Sequence, residues 1–184
     1  TVNVTWNTTG KMGNHSISVM IDPNDLIEEM NETNNRASKS IVINEKQTQI
    51  TFFDTGKGTY PSIMGNHTGT IKPNHTVIAS KLYTYPCPGT GGHTDYAEIG
   101  NATWNATATW KGYRDDWHNI TFDKTVVLLE NKTYTYTIRT GSYPQIIHEQ
   151  NHTTLDGSFI NCTKFTDANG KKYTNWIPAI RLWE

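Results

Sequence analysis

Apolar and polar residues alternate in short runs along most of this chain, and Gly, Pro and Asn clusters cut the runs apart. A period of two marks half-buried strands. It predicts strands at 2–6, 16–21, 38–43, 49–53, 76–85, 94–99, 103–110, 119–122, 125–129, 134–139, 158–164 and 179–183. Tyr134, Tyr136 and Ile138 share one face there, with Thr135 and Thr137 on the other. Only 25–32 reads as helical, with Leu26, Ile27 and Met30 turned to one side over two turns. The Gly/Pro-rich stretches 56–69 and 86–92 read as loops. A domain boundary is expected near 44–47, after one strand and before a new alternating run. The pattern predicts an all-β chain built as a sandwich or jelly-roll.

The polar positions carry a second pattern. Asn-x-Ser/Thr, the acceptor sequence for N-glycosylation, occurs at Asn3, Asn7, Asn14, Asn31, Asn66, Asn74, Asn101, Asn105, Asn119, Asn131, Asn151 and Asn161. Ser and Thr make up about a fifth of the chain, so roughly four would arise by chance. The parity of the strands sorts these residues. Val2, Val4 and Trp6 take one parity, and Asn3 and Asn7 the other. Asn105 alternates with Trp104, Ala106, Ala108 and Trp110; Asn119 precedes Ile120; Asn161 sits between Ile160 and Cys162. Asn131 falls in an expected turn. Acceptors are therefore expected on solvent faces and turns, where covalent N-linked glycans fit, and the chain is expected to be extracellular.

Composition narrows the classes. Charged residues make up 18%, against roughly 25% in a typical soluble protein. The net charge is -1, and no basic run offers a footprint for nucleic acid. No apolar run approaches the ~20 residues of a membrane-spanning helix. The chain begins at Thr1 rather than Met, which suggests a processed or excerpted form. In an exported chain, Cys87 and Cys162 are expected to form a disulfide. That bond closes a loop of about 75 residues, worth on the order of 4–5 kcal/mol. Two separate buried thiols, or a bond to another chain, are the alternatives.

Residues 1–44 resemble the second half of a CARDB domain, an adhesion-related immunoglobulin-like sandwich. The resemblance rests on Gly13-Asn14-His15-Ser16-Ile17-Ser18-Val19, Ile21-Asp22-Pro23-Asn24, Glu29-Met30-Asn31-Glu32-Thr33-Asn34-Asn35 and Ile41-Val42-Ile43. It implies an immunoglobulin-like half-sandwich over 1–45, followed by a larger antiparallel β-sandwich or jelly-roll over 46–184. The second part looks like an accessory module of archaeal surface proteins with no established activity. Its cues are Asp54-Thr55-Gly56-Lys57-Gly58-Thr59-Tyr60-Pro61-Ser62-Ile63, Gly91-Gly92-His93-Thr94, Thr140-Gly141-Ser142-Tyr143-Pro144, Phe165-Thr166-Asp167-Ala168-Asn169-Gly170 and Trp176-Ile177-Pro178-Ala179-Ile180-Arg181-Leu182.

Candidate chemistry is sparse. Four of the seven histidines (His15, His67, His75 and His152) are the middle residues of acceptor sequences, so surface positions are expected for them. His93, His118 and His148 remain, without the spacing of a zinc protease, and no Gly-x-Ser-x-Gly elbow occurs. No enzyme activity is expected. Asp167 and Asn169 are weak calcium candidates, but Asn169-Gly170 is also a strong hairpin signal. The acidic run Asp22, Asp25, Glu28, Glu29 and Glu32 reads as a solvated helix face. His93 with Asp95 is a weaker cation pair. Tyr113 and Trp117 are the candidate aromatics for stacking on a carbohydrate ligand, with core packing as the alternative.

A half-sandwich lacks strands, so Val2, Val4, Trp6, Ile17, Val19 and Ile21 need a covering partner. The cover is expected from the second domain, from an upstream or neighbouring repeat, or from self-association with a neighbouring subunit's strand; the last, β-strand complementation, makes the chain a building block of a surface filament or layer. The alternatives are a carbohydrate-binding adhesion module and an accessory domain of an enzyme.

Overall fold

The computed structural model describes residues 3–8, 10–43, 52–112 and 116–184. The chain divides into two compact units, Thr1–Thr48 and Gln49–Glu184. The described residues contain no α-helix, and all paired strands run antiparallel, as the alternating pattern predicts.

In the first unit, β1 (Gly13–Met20) pairs with β2 (Arg36–Ile43) in a two-stranded ribbon. Its register sets Ile17 against Lys39, Val19 against Ala37 and His15 against Ile41 on one face. Asn14, Ser16 and Ser18 lie on the other, where Ser18 Oγ and Ser38 Oγ are 2.8 Å apart. The ribbon is therefore amphipathic, yet Ile17, Val19 and Ile21 remain exposed.

Two expectations fail in this unit. Residues 3–6 of the expected first strand are not in a strand, Val4 is exposed, and Trp6 meets the His15 ring edge-on. Residues 25–32 do not form a helix. The Asp22 carboxylate accepts the N–H groups of Leu26 and Ile27, and Asp22 and Asp25 hold φ of 44° and 53°. An Asp side chain that captures nearby amides competes with helical bonding, so Leu26, Ile27 and Met30 stay in solvent. A short 3₁₀ turn follows at Glu32–Asn34, capped by Asn31.

Among the described residues, the second unit is a curled eleven-stranded antiparallel sheet of short strands with a separate two-stranded pair. These are β3 (Phe53–Asp54), β4 (Gly65–Lys72), β5 (Val77–Thr84), β6 (Thr94–Gly100), β7 (Asn105–Thr109), β8 (Asn119–Leu128) and β9 (Tyr134–Thr140). Then come β10 (Ile146–Ile147), β11 (Asn151–Thr153), β12 (Phe159–Asp167), β13 (Lys172–Tyr173), β14 (Ile177–Pro178) and β15 (Ile180–Trp183). The spatial order is β11-β12-β4-β9-β6-β7-β8-β5-β15-β3; β13 pairs with β12, and β10 with β14 separately. β7 and β8 meet at the single pair Ala108↔Phe122, which joins the two halves of the sheet. Both halves turn their inner faces to one core that includes Ile71, Tyr136, Ile138, Phe122, Leu82, Leu128, Ile160 and Phe165. This is the sandwich-like arrangement expected for alternating strands.

β4 begins inside the stretch 56–69 read as a loop and runs three residues past it. Its inward positions are His67, Gly69 and Ile71, all buried, so two of its three core residues carry no hydrophobic signal. The runs 119–122 and 125–129 belong to one strand. β8 pairs with β5 at both ends, and its middle swings away to reach β7 through Phe122.

Candidate functional site

Asn66, Asn105, Asn119 and Asn161 follow the strand alternation beside buried positions; Asn14 and Asn151 lie in strands without a buried neighbour, and the other six acceptors lie outside strands. Asn3, Asn7, Asn14, Asn31, Asn74, Asn101, Asn105, Asn131 and Asn151 are exposed; Asn66, Asn119 and Asn161 are half-buried; none of the twelve is buried. Asn131 sits in the turn after β8 with φ of 58°, a left-handed conformation that Asn tolerates. Several acceptors already use their side-chain oxygen. Asn31 Oδ1 accepts from the N–H and hydroxyl of Thr33, and Asn101 Oδ1 from those of Thr103. Asn161 Oδ1 accepts from the N–H and hydroxyl of Thr70. In each case the amide nitrogen, where a glycan attaches, is the end left turned away from those donors.

Cys87 and Cys162 do not form the expected disulfide; both are buried free thiols. Their surroundings differ. Cys87 lies in the loop after β5, where its Sγ donates to Ser62 Oγ at 3.0 Å. Cys162 lies on β12 across from Gly69, and burial raises its pKa. Each thiol is accommodated as a small buried group.

The histidines of acceptor sequences do not share one environment. His67 is fully buried, because Asn66 and Thr68 face outward on β4 and the residue between them must face in. Its Nδ1–H donates to the Trp176 carbonyl at 3.1 Å. Burial pushes its pKa down to about 3, against the opposing effect of that bond. Its Nε2 has no hydrogen-bond partner, and neither does the buried Nε2 of His148. Both histidines belong to one aromatic stack: His67 lies on Phe165, Phe165 on Trp176, and Trp176 meets His148 edge-on at 4.7 Å.

A second cluster centres on His93. Its Nε2 is 2.9 Å from Asp95 Oδ1 and its Nδ1 is 3.1 Å from Ser142 Oγ. The carboxylate only accepts, so it selects the Nε2–H tautomer and leaves Nδ1 to accept the serine hydroxyl. The connectivity is that of a Ser–His–Asp relay with the two ring nitrogens exchanged. The His93 ring packs against Trp110 at 4.2 Å and Trp117 at 4.5 Å, which leaves it 5% exposed. Gly141, just before the serine, spends its N–H on the His93 carbonyl. Any side chain at Gly141 meets Asp95 and His93. Nothing in the sequence links Ser142 to His93, since their segments meet only through the pairing of β6 with β9.

Of the two candidate aromatics, Trp117 is half-buried against His93 and Trp110, and Tyr113 lies outside the described residues. Asp167 serves its own hairpin. Its Oδ1 accepts from the N–H groups of Asn169 and Lys171, and β12 pairs with β13 across that turn. Among the described residues, no group of three or more His, Cys, Asp or Glu is arranged to hold a metal ion. The acidic residues of 22–32 do not share a helix face, since no α-helix forms there and only Glu32 enters the 3₁₀ turn.

An open groove of about 500 Å³ lies where β7 and β8 splay apart. It is lined by Trp110, Asp116, Asn119, Thr121 and Asp123, among others. Asp123 bridges the gap between the strands, accepting from the Thr107 N–H and hydroxyl at 2.8 and 3.1 Å. The Thr107 amide holds the Asp123 carboxyl below its ordinary pKa.

Residues 1–39 match the family model described as CARDB. No curated protein and no solved structure matches the chain. The first unit is thus CARDB-like, the kind of adhesion-related immunoglobulin-like domain that suits a surface module. No helix among the described residues is long and apolar enough to cross a membrane.

Proposed function

We propose that this chain is part of an extracellular, N-glycosylated protein of a cell surface, acting as a structural or adhesive building block rather than an enzyme. The observation that carries the reading is the placement of the acceptors. All twelve keep access to solvent, and in the second unit the strand positions beside Asn66, Asn105, Asn119 and Asn161 fill the core. The CARDB-like match over 1–39 points to the same setting. Mass spectrometry of glycopeptides from protein isolated from its source tests it site by site. Sugar on most of the acceptors is expected, and bare side chains throughout defeat the reading.

The first unit supplies the means of assembly in this proposal. A two-stranded ribbon is marginal alone, and here Ile17, Val19 and Ala37 of its apolar face are exposed, with His15 and Ile41 half-buried. Asn14 projects from the opposite face, so a glycan there leaves the apolar face clear. A strand from a second copy adds to this ribbon by β-strand complementation and builds a filament or layer, since head-to-tail contacts propagate when they do not close. Size-exclusion chromatography and negative-stain imaging at rising concentration should show growing oligomers. Monomers alone at high concentration rule this mode out.

No catalytic step is assigned to the Ser142–His93–Asp95 cluster. Its histidine is enclosed by two indole rings, and the cluster acts as a clamp between the β6 start and the loop after β9.

A further inference from the structure

We infer that the groove between β7 and β8 is the seat of the first sugars of the glycan attached to Asn119. This deepens the proposed function and rests on its glycosylated-surface reading. The groove exists because the two strands share one ladder pair, Ala108↔Phe122. Beyond that pair the antiparallel chains diverge, with Thr109 and Trp110 leaving on one side and Thr121 and Asn119 arriving on the other. The cleft holds about 500 Å³, within the roughly 300–1,000 Å³ of small-molecule sites.

Its walls have the chemistry of a sugar site. Trp110 offers an apolar surface for a pyranose ring. The hydroxyls of Thr109 and Thr121 and the carboxylates of Asp116 and Asp123 can exchange hydrogen bonds with sugar hydroxyls. The acceptor itself lines the cleft. Its orientation is fixed: Trp183 Nε1 donates to Asn119 Oδ1 at 2.9 Å. That bond turns Nδ2 toward Asp116, to which it donates. Glycosylation replaces one amide hydrogen and leaves the other for Asp116, so the linkage forms at the mouth of the groove. A tethered ligand faces a high effective concentration and needs little intrinsic affinity.

The experiment combines glycopeptide mass spectrometry with hydrogen exchange on the glycoprotein isolated from its source. The same measurements are made on Thr121→Val and Asn119→Gln variants produced in that source. Thr121→Val abolishes the acceptor sequence and one wall hydroxyl while keeping Asn119 and its bonds, and Asn119→Gln abolishes the acceptor and keeps that hydroxyl, so faster exchange in both isolates the sugar. Asn119 is expected to carry sugar. Amides of 107–110 and 119–123 should exchange several-fold faster in both variants, and no faster when Asn151 alone is replaced by Gln. An occupied Asn119 with unchanged exchange overturns the inference. So does a bare Asn119 beside occupied acceptors elsewhere, which leaves the surface-glycoprotein reading standing. Bare asparagines throughout remove both. If Asn119 is bare and a free N-acetylhexosamine disaccharide protects the groove, the site serves sugar in trans and the tethered seat is wrong.

Discussion

The imidazole of His67 lies on the ring of Phe165, with centroids 4.1 Å apart and planes inclined by 24°. One ring nitrogen is bonded to a carbonyl and the other meets no polar atom. This histidine is part of the core and is held in its neutral form.

That placement makes the second unit sensitive to acid. In the unfolded chain His67 titrates near 6.5, and in the folded chain near 3. Between those values the unfolded state binds the extra proton, so stability rises with pH. It is complete above about 6.5 and falls by about 1.4 kcal/mol for each unit of acidification toward 3. Thermal unfolding followed from pH 7 to 4 should show a shallower decline for His67→Phe than for the unaltered protein. Parallel declines dispose of the assignment.

Both thiols should behave as buried, unpaired groups. A thiol-reactive disulfide reagent is expected to find neither in the native protein and both after denaturation. Treatment with reductant should leave the melting temperature unchanged. A melting point that drops on reduction restores the disulfide.

Gly69 and Gly141 sit where a side chain has no room, the first against backbone and the second against two side chains. A Cβ on Gly69 collides with the Asn161 carbonyl oxygen, and one on Gly141 with Asp95 and His93. Backbone oxygen on β12 cannot step aside, so Gly69→Ala is expected to cost about 1–3 kcal/mol by overpacking. Gly157→Ala tests backbone strain in place of overpacking. Its position lies in a turn at φ of 84°, where a side chain strains the backbone without such a collision. Denaturant midpoints compare the two.

Asp54 ties the sheet edge together. It accepts from the Tyr85 hydroxyl at 2.8 Å and from Arg181 Nε at 2.8 Å, and Arg181 Nη2 donates to the Tyr85 oxygen at 3.0 Å. Asp54→Ala leaves both partners half-satisfied and should cost about 1–3 kcal/mol. The loss should show as early hydrogen exchange in β15. A variant with unchanged exchange there places the network outside the stability of the fold.

The Ser142–His93–Asp95 cluster should fail as a nucleophile. A fluorophosphonate probe is expected to leave the native protein unlabelled. Labelling that Ser142→Ala abolishes makes the chain an enzyme.

How far the sequence could be read depended on what each inward position carried. β9 was legible because Tyr134, Tyr136 and Ile138 announce a buried face, and all three are buried. β4 was not, because a histidine and a glycine occupy two of its core positions and look like loop residues. His67 was misplaced for a related reason. Its acceptor sequence puts Asn66 and Thr68 outside, and alternation then drives the middle residue inward. Over 25–32, Leu26, Ile27 and Met30 have helical spacing, but the Asp22 carboxylate takes the first amides a helix needs. His93 and Asp95 are close in sequence and could be read together, but Ser142 was hidden because only the pairing of β6 with β9 brings it to His93. The disulfide expectation followed from compartment alone, which says nothing of which side chains face each other.

The alternation that keeps acceptors on the outer face of a strand and aliphatic side chains on the inner one separates two inheritable quantities. Under the glycoprotein reading proposed above, a single codon change at an acceptor whose side chain bonds nothing else, such as Asn151, adds or removes a sugar chain and leaves the core residues as they were. A lineage carrying such a sheet can then revise its outer coat at those positions while the packing beneath is kept.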